Sequence, residues 1–363
     1  ELDGTIVYFN LEKPVLIGTI GIGRLMDLNE RDEVSYISRF VSEREAWNLD
    51  DEATNFVRLD HLYDVGQKGK GVKIAVLDQG FRGYIASQAI GGLPTGNQLN
   101  YTNFLNTPDN TSTHGRNVAE VVYAVAPEAE LYLYRVNGLN SWDDAVDAAI
   151  DGEVDILTSS IAWPLRGPGD GTGSVCDIVE RAADAGILWF QAVGNDHHKF
   201  FHTYYSDPDN DGLINFADND ETVSFDLLVN ETINVKMRYN QWGADGLGNA
   251  TDNFDLYLGQ EYANGTYGFM SSSLNNNNLP YEFITFTAPQ NGTYSVVIWE
   301  VNKTSEGNPL FSLNFDRKIQ EYETPFMEVF IPGDSEYAIA VGAVHENDVT
   351  ASYSSVGPVT DGR

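Results

Sequence analysis

Three short segments end or begin on side chains that together could do acyl-transfer chemistry. Val76-Leu77-Asp78-Gln79-Gly80 closes an apolar run on an acid. His114-Gly115-Arg116-Asn117-Val118-Ala119 opens a helical pattern on a histidine, and Ala192-Val193-Gly194-Asn195 closes a later apolar run on an amide. A carboxylate can hold an imidazole in one tautomer and orientation. The imidazole can then take a proton from a serine hydroxyl, and a side-chain amide can donate to the developing oxyanion. Singly each residue has ordinary structural uses; in this order, at strand ends and a helix start, they point to one site.

A second chemistry is written in Ser206-Asp207-Pro208-Asp209-Asn210-Asp211-Gly212-Leu213, which continues to Asp218. Carboxylates at loop positions one, three and five, a glycine at six, a carbonyl at seven (Leu213) and an acid at twelve (Asp218) follow the spacing of a calcium loop, with Asp in place of the usual final Glu. No helix pair flanks it, so the expectation is a calcium loop without an EF-hand. Two other clusters carry less. His198 and His202, four apart, would share a helical face and could meet zinc, but the H-E-x-x-H arrangement is missing. Gly167-Pro168-Gly169-Asp170-Gly171-Thr172-Gly173 lacks the Lys-Ser/Thr of a phosphate loop and reads as the edge of a cleft.

The surrounding elements must place these residues. Val72–Leu77 is β-branched and nearly continuous in its apolar character, as a parallel strand buried on both faces requires. Asn117–Ala126 has helical spacing, with Val118, Val121, Val122 and Val125 on one face. Strand Leu131–Val136 follows, then helix Trp142–Ile150 with Ser141 as its expected N-cap and Asp143 and Asp144 in its first turn. Strand Val154–Ile161, helix Val175–Ala185 and strand Ile187–Val193 complete an α/β alternation typical of a doubly wound parallel sheet. From Thr222 to Asn314 short strands and Gly/Asn-rich turns predict an antiparallel β-sandwich, and α/β character returns at Tyr337–Val344. The expected organisation is a small α+β unit over 1–60, with strands at Thr5–Phe9 and Val34–Phe40. An α/β domain over 61–205 and 331–363 follows, and 206–330 is inserted within it as the calcium loop and sandwich.

With these segments in place, the chain resembles the subtilisin-like serine proteases from about Gly69 to Asn195 and again over Ala338–Arg363. Ala126-Pro127-Glu128-Ala129-Glu130-Leu131 resembles that family's segment after the histidine helix. Ser352-Tyr353-Ser354-Ser355-Val356-Gly357-Pro358 and Asp361-Gly362-Arg363 resemble its approach to the serine. The resemblance implies that Asp78 orients His114, that His114 is the general base, and that Asn195 stabilises the oxyanion. Ser160, Ile161 and Ala162 would pair with substrate backbone, and the 1–60 unit would correspond to a propeptide. Asn117, Arg116, Glu120 and Ala162 stand where the family commonly has His, Thr, Gly and Gly. The family's nucleophile lies in a Gly-Thr-Ser motif beyond the segment matched at Arg363, and no serine of this sequence has that context. Segments Asp252–Leu258 and Asn291–Val297 resemble jelly-roll domains found beside secreted proteases.

Composition limits the partners. Fifty-four acids against 21 Lys+Arg give a net charge of −33, which disfavours phosphate backbones and anionic membrane surfaces. No apolar run is long enough to span a bilayer. There is no initiator Met and no basic-then-apolar leader, so a signal peptide, if one existed, is expected to be gone. The single cysteine, Cys176, excludes an internal disulfide and reads as a small buried hydrophobe. Asn-X-Ser/Thr sequons occur at Asn100, Asn110, Asn230, Asn249, Asn264, Asn291 and Asn302, which suggests a glycosylated extracellular or cell-surface protein. The expected function is a secreted endopeptidase acting on protein or peptide substrates, its serine carried by a C-terminal fragment or continuation. The alternative is a non-catalytic structural glycoprotein that self-assembles at a cell surface on the same fold.

Overall fold

A computed structural model of the chain describes residues 4–10, 15–20, 59–109, 112–243, 248–261, 267–274, 278–319, 321–345, 349–360 and 362. The expected strand Val34–Phe40 and the sequons Asn110 and Asn264 lie outside them. The chain divides into two compact units, Glu1–Ile161 with Asp184–Trp189, and Ala162–Ala183 with Phe190–Arg363.

In the first unit, β1 (Gly4–Asn10) and β2 (Val15–Ile20) form an antiparallel pair. Helix α1 (Leu59–Asp64) precedes β3 (Lys73–Asp78), and α2 (Tyr84–Ala89) and β4 (Leu99–Asn103) follow it. Then come α3 (His114–Val125), β5 (Glu130–Arg135), α4 (Leu139–Asp151) and β6 (Ile156–Ser159). Strand β3 pairs in parallel with β5 on one side and β6 on the other, and β4 extends the sheet beyond β5. From Ile74 to Asp78 every residue of β3 is buried, which is why its sequence shows no alternation. Strand β7 (Leu188–Ala192) starts with the Leu188 N–H donating to the Asp155 carbonyl.

Two helix readings need correction. On α3 the buried positions are Gly115 and Ala119, with Val118 and Val122 half-buried, whereas Val121 and Val125 are exposed. Small residues let the helix approach the sheet closely, and a pattern search weighted to large apolar residues overlooks them. Helix α4 begins at Leu139, so Ser141 is inside the first turn and Asp143 and Asp144 fall beyond it. Gly138, at φ 87°, lets the chain turn early; the Ser141 hydroxyl donates to the Gly138 carbonyl and accepts from the Asn137 N–H. The buried positions Trp142, Ala145, Val146 and Ala149 recur at helical spacing, and Trp142 stacks on Trp189.

The second unit holds α5 (Ser174–Asp184) and a sandwich of two four-stranded antiparallel sheets. Its strands are β8 (Phe200–Tyr204), β9 (Val223–Leu227), β10 (Thr232–Tyr239), β11 (Asn253–Glu261), β12 (Tyr267–Ser273), β13 (Tyr281–Thr287), β14 (Gly292–Asn302) and β15 (Leu310–Phe315). One sheet runs β13-β10-β15-β8 and the other β12-β11-β14-β9. Their inner faces meet in a core that includes Phe254, Leu256, Phe311, Leu313, Val235 and Tyr294. Because β8 pairs with β15, the sandwich takes up chain at Phe200, before the expected boundary at Ser206. Strand β16 (Ala338–Val341) meets the end of β7, where the Val193 N–H donates to the Val341 carbonyl.

Alternation along β10 puts Val235, Met237 and Tyr239 inward, so Arg238 should face water; it is buried instead. The Gly167–Gly173 loop covers it. The guanidinium donates to the Gly167 carbonyl at 2.9 Å, and a Cβ at Gly169 would come within 2.2 Å of it. Burial lowers the Arg238 pKa to about 10, with Asp334 and Asp170 pulling it back up. The expected cleft-edge loop is therefore a cap over a sandwich arginine.

Candidate active site

Asp78 is the last residue of β3, at the carboxyl end of a parallel strand, where sites in such sheets form. Its carbonyl accepts from the Val136 N–H, continuing the β5 pairing. His114 opens α3, and its Nδ1 lies 2.6 Å from Asp78 Oδ2. The two side chains differ sharply in access: 1% of the Asp78 side chain is exposed against 52% of the His114 side chain. Burial raises the Asp78 pKa, while the His114 charge, the His114 hydrogen bond and the backbone N–H groups of Gly80 and Gln79 draw it down. With Asp78 ionised, Nδ1 carries the proton, and Nε2 is left as an acceptor on the solvent side.

Local sequence makes this contact possible. The Gly115 N–H donates to the Gly80 carbonyl at 2.9 Å, and the His114 N–H donates to the Ser112 hydroxyl. A Cβ on Gly115 would come within 2.5 Å of Asp78 Cβ and 2.8 Å of Phe81 Cε1. Gly115→Ala is therefore expected to destabilise the chain by about 1–3 kcal/mol through overpacking. Urea unfolding monitored by circular dichroism tests this; a midpoint equal to that of the parent would show that the helix start yields freely. Beneath the pair, the Arg135 guanidinium donates to the Gln79 and Thr107 carbonyls and lies 3.5 Å from Asp109, which in turn accepts from the Phe81 N–H and the Tyr101 hydroxyl. That network fixes the turn leaving Asp78 and had no signal in the sequence.

Ser160 is exposed directly after β6 and Ile161 half-buried beside it; the Ser159 hydroxyl donates to the Ile161 carbonyl. In the second unit, Ala162 precedes Trp163, which forms an antiparallel bridge with Ile331. Asn195 is exposed at the end of the β7 segment. The backbone around it is clamped: the Ser355 N–H donates to the Gly194 carbonyl, the Asp196 N–H donates to the Ser355 hydroxyl, and the Phe330 N–H donates to the Val193 carbonyl. Gly194 has φ 112°, and a Cβ there would meet Ser355 Oγ at 2.9 Å. Ser355 is thus a buried support of this turn, and Ser354, also buried, accepts from the Ala343 N–H. Cys176 is buried near Asp334, and burial with that carboxylate pushes its thiol pKa up, so it is an inert core residue.

The acidic loop converges as its spacing suggests, with one change. Oxygens of Asp207, Asp209 and Asp211 lie within 4.8 Å of one another. Asn210 and Gly212 take left-handed backbone conformations, the Gly212 N–H donates to Asp207 Oδ2, and the Leu213 N–H donates to Asp211 Oδ1. Asp207 Oδ1 is buried with no hydrogen-bond partner among the described residues. Asp218 is exposed and is not among the converging carboxylates, because a tight turn at Ala217–Asp220, with Asn219 at φ 57°, carries the chain past it. Burial raises the Glu221 pKa, and the charges of Asp211, Asp209 and Asp207 raise it further, although Glu221 is not among the converging carboxylates either. Leu213 bridges to Trp299 of β14. Hard oxygen donors around an unsatisfied buried carboxylate oxygen suit a calcium-sized cation.

His198 and His202 do not share a helix. His202 lies on β8 with its Nδ1 2.9 Å from the Ser312 hydroxyl. The neighbour of the His198 ring is His197. All five described sequon residues (Asn100, Asn230, Asn249, Asn291 and Asn302) are exposed. Among the described residues, no helix is long and apolar enough to cross a membrane.

Comparison with known proteins bears on residues 69–283, which match the sequence model of the Subtilase family. The minor extracellular protease Epr of Bacillus subtilis is 28% identical over 42% of this chain and 23% of its own length. The thermostable alkaline protease of Halalkalibacterium halodurans is 25% identical over 53% of this chain and 54% of its own. The solved structure of the Clostridium perfringens CspB protease is similar in fold, with a TM-score of 0.51 over 85% of this chain and 77% of its own at 10% identity. The chain spans about half or less of the length of these curated relatives.

Proposed function

Because the chain belongs to the subtilase family of serine proteases, we propose that it contributes the acid, the base and the oxyanion donor of a secreted endopeptidase whose serine lies outside residues 1–363. The observation that carries this reading is the 2.6 Å contact between a half-exposed His114 and a buried Asp78 at the end of β3. In this mechanism His114 Nε2 removes the proton of the serine hydroxyl as its oxygen attacks the scissile carbonyl carbon. The Asn195 amide donates to the resulting oxyanion. His114 returns the proton to the leaving amine, and water repeats the sequence to release the acyl group. Asp78 holds Nδ1–H throughout and stabilises the imidazolium. Ser160, Ile161 and Ala162 would hydrogen-bond the substrate backbone.

Labelling of the complete matured protein by a fluorophosphonate probe tests the reading. Covalent labelling lost on His114→Ala supports it. An unlabelled but folded protein would favour the structural glycoprotein instead. The exposure of the described sequons supports glycosylation in an extracellular setting, and an intact mass equal to the polypeptide mass would contradict it.

We further propose that Asp207, Asp209 and Asp211, with the loop backbone at Leu213, hold Ca²⁺ as a stabilising ion. Calcium at 100 times its Kd is expected to stabilise the folded state by about 2.7 kcal/mol. Asp207→Asn should abolish the accompanying rise in melting temperature. A melting temperature indifferent to calcium would remove the site.

A further inference from the structure

The His197–His198 pair is used by none of the chemistry above. Side chains of consecutive residues normally diverge, yet these two rings lie with centroids 3.7 Å apart and planes 36° apart. The backbone makes this possible, because His198 is held in the left-handed region at φ 67°. A non-glycine residue there costs roughly 1 kcal/mol or more and persists only where the surroundings enforce it. The enforcing groups are two carboxylates. Glu328, 0% exposed, lies 2.8 Å from His197 Nδ1 and also accepts the His198 and Val356 N–H groups. Glu323 takes the Nδ1 of His198.

Both rings are therefore fixed through the same nitrogen. A carboxylate on Nδ1 selects the tautomer with the proton there and leaves Nε2 as a lone-pair donor, the arrangement that orients histidine ligands toward metals. Neither Nε2 has a protein partner among the described residues. The side chains keep 19% and 32% of their surface, so solvent and solutes reach them. The charge around the pair is negative, since Glu328 and Glu323 contact the rings directly. Of the nearby cations, Lys199 is bound to Asp196, and Lys318 lies 4.0 Å from Glu323 on the solvent side.

We propose that His197 and His198 form a two-imidazole site for a borderline divalent transition metal such as Zn²⁺ or Cu²⁺, with Glu328 and Glu323 as positioning residues. Nitrogen donors prefer these ions to Ca²⁺, so the site differs in selectivity from the oxygen-only loop at Asp207–Asp211. Water or an incoming carboxylate completes the coordination, as two protein ligands leave positions open. The site uses none of the residues assigned to the proposed peptidase chemistry.

Calorimetric titration of the full chain with Zn²⁺ at neutral pH, in saturating Ca²⁺, tests the proposal. One equivalent should bind. His198→Gln should weaken binding at least about tenfold, and Glu323→Gln should weaken it by about 10–100-fold through loss of ring orientation. Cu²⁺ bound to the unmutated chain should show paramagnetic-resonance hyperfine coupling to two imidazole nitrogens, a readout that does not depend on a variant folding. The proposal is overturned if the parent takes up no Zn²⁺ at about 1 mM, if the double variant His197→Gln/His198→Gln binds as tightly as the parent, or if the copper signal reports fewer than two nitrogens.

Discussion

Asp78→Asn is expected to lower kcat of the complete protease by about 10⁴-fold with little change in KM. The substitution keeps the shape of the side chain, and the Gly115 contact that brings α3 against β3 needs no rearrangement. What changes is the proton. The introduced amide would donate to His114 Nδ1, forcing the tautomer with hydrogen on Nε2, and that nitrogen could no longer accept from a serine. Uniform binding of substrate lies elsewhere and is untouched, so the loss falls on the chemical step. Steady-state kinetics on a peptide substrate, with circular dichroism to confirm folding, measure it. A decrease under about tenfold would deny Asp78 the orienting role.

The second large effect is on stability in acid. His202 lies between Phe200, Phe326 and Ser312, and burial together with the Arg238 charge lowers its pKa to about 3. Its unfolded value is near 6.5. Above pH 6.5 both states hold it neutral and it contributes no pH dependence. Below that, the unfolded chain binds a proton that the folded chain refuses, so stability falls as pH drops, by about 1.4 kcal/mol per unit. Over the whole window, down to about pH 3, the loss is on the order of 4 kcal/mol. Carboxylates with lowered pKa values, such as the buried Asp252 and the half-buried Asp220, also cost stability in acid. Their window opens lower, near the unfolded carboxylate range. His202→Asn should therefore make the slope between pH 6.5 and 5 shallower, whereas the buried carboxyls of Asp78 and Asp334, whose pKa values burial raises, act in the opposite sense in both proteins. Urea midpoints for the two proteins at several pH values in that interval test this; parallel slopes would mean that another group carries the effect.

The parts of the site that could be read from sequence are those fixed by local pattern. An unbroken apolar strand ending in Asp78 and a helix opening at His114 are one-dimensional signals. The four-strand parallel core around β3 follows from them. The contacts that make the site work come from longer range. Gly115 and Ala119 form the packing stripe of α3 because they are small, and hydrophobic spacing favours valines that are in fact exposed. The strands β8 and β12 gave weak signals because both are edge strands of their sheets, where one flank is unpaired and polar residues such as those of Tyr267–Ser273 are tolerated. Glu328 meets its partners through turns and crossings that residue spacing does not encode. The expected place of Asp218 failed for the same reason: loop position twelve presumes an uninterrupted loop, and the turn at Asn219 interrupts it.

Arg238 bears on whether the sandwich can be treated as a detachable module. It leaves its own sheet to fill the space beneath the Gly167–Gly173 segment, and Gly169 can carry no side chain while the guanidinium is there. Excising the insertion would therefore hollow out that segment, and a relative with a side chain at position 169 could not keep an arginine at 238. Loop and insertion are interlocked parts that must be exchanged together, so a chimera that transplants the sandwich has to carry residues 167–173 with it.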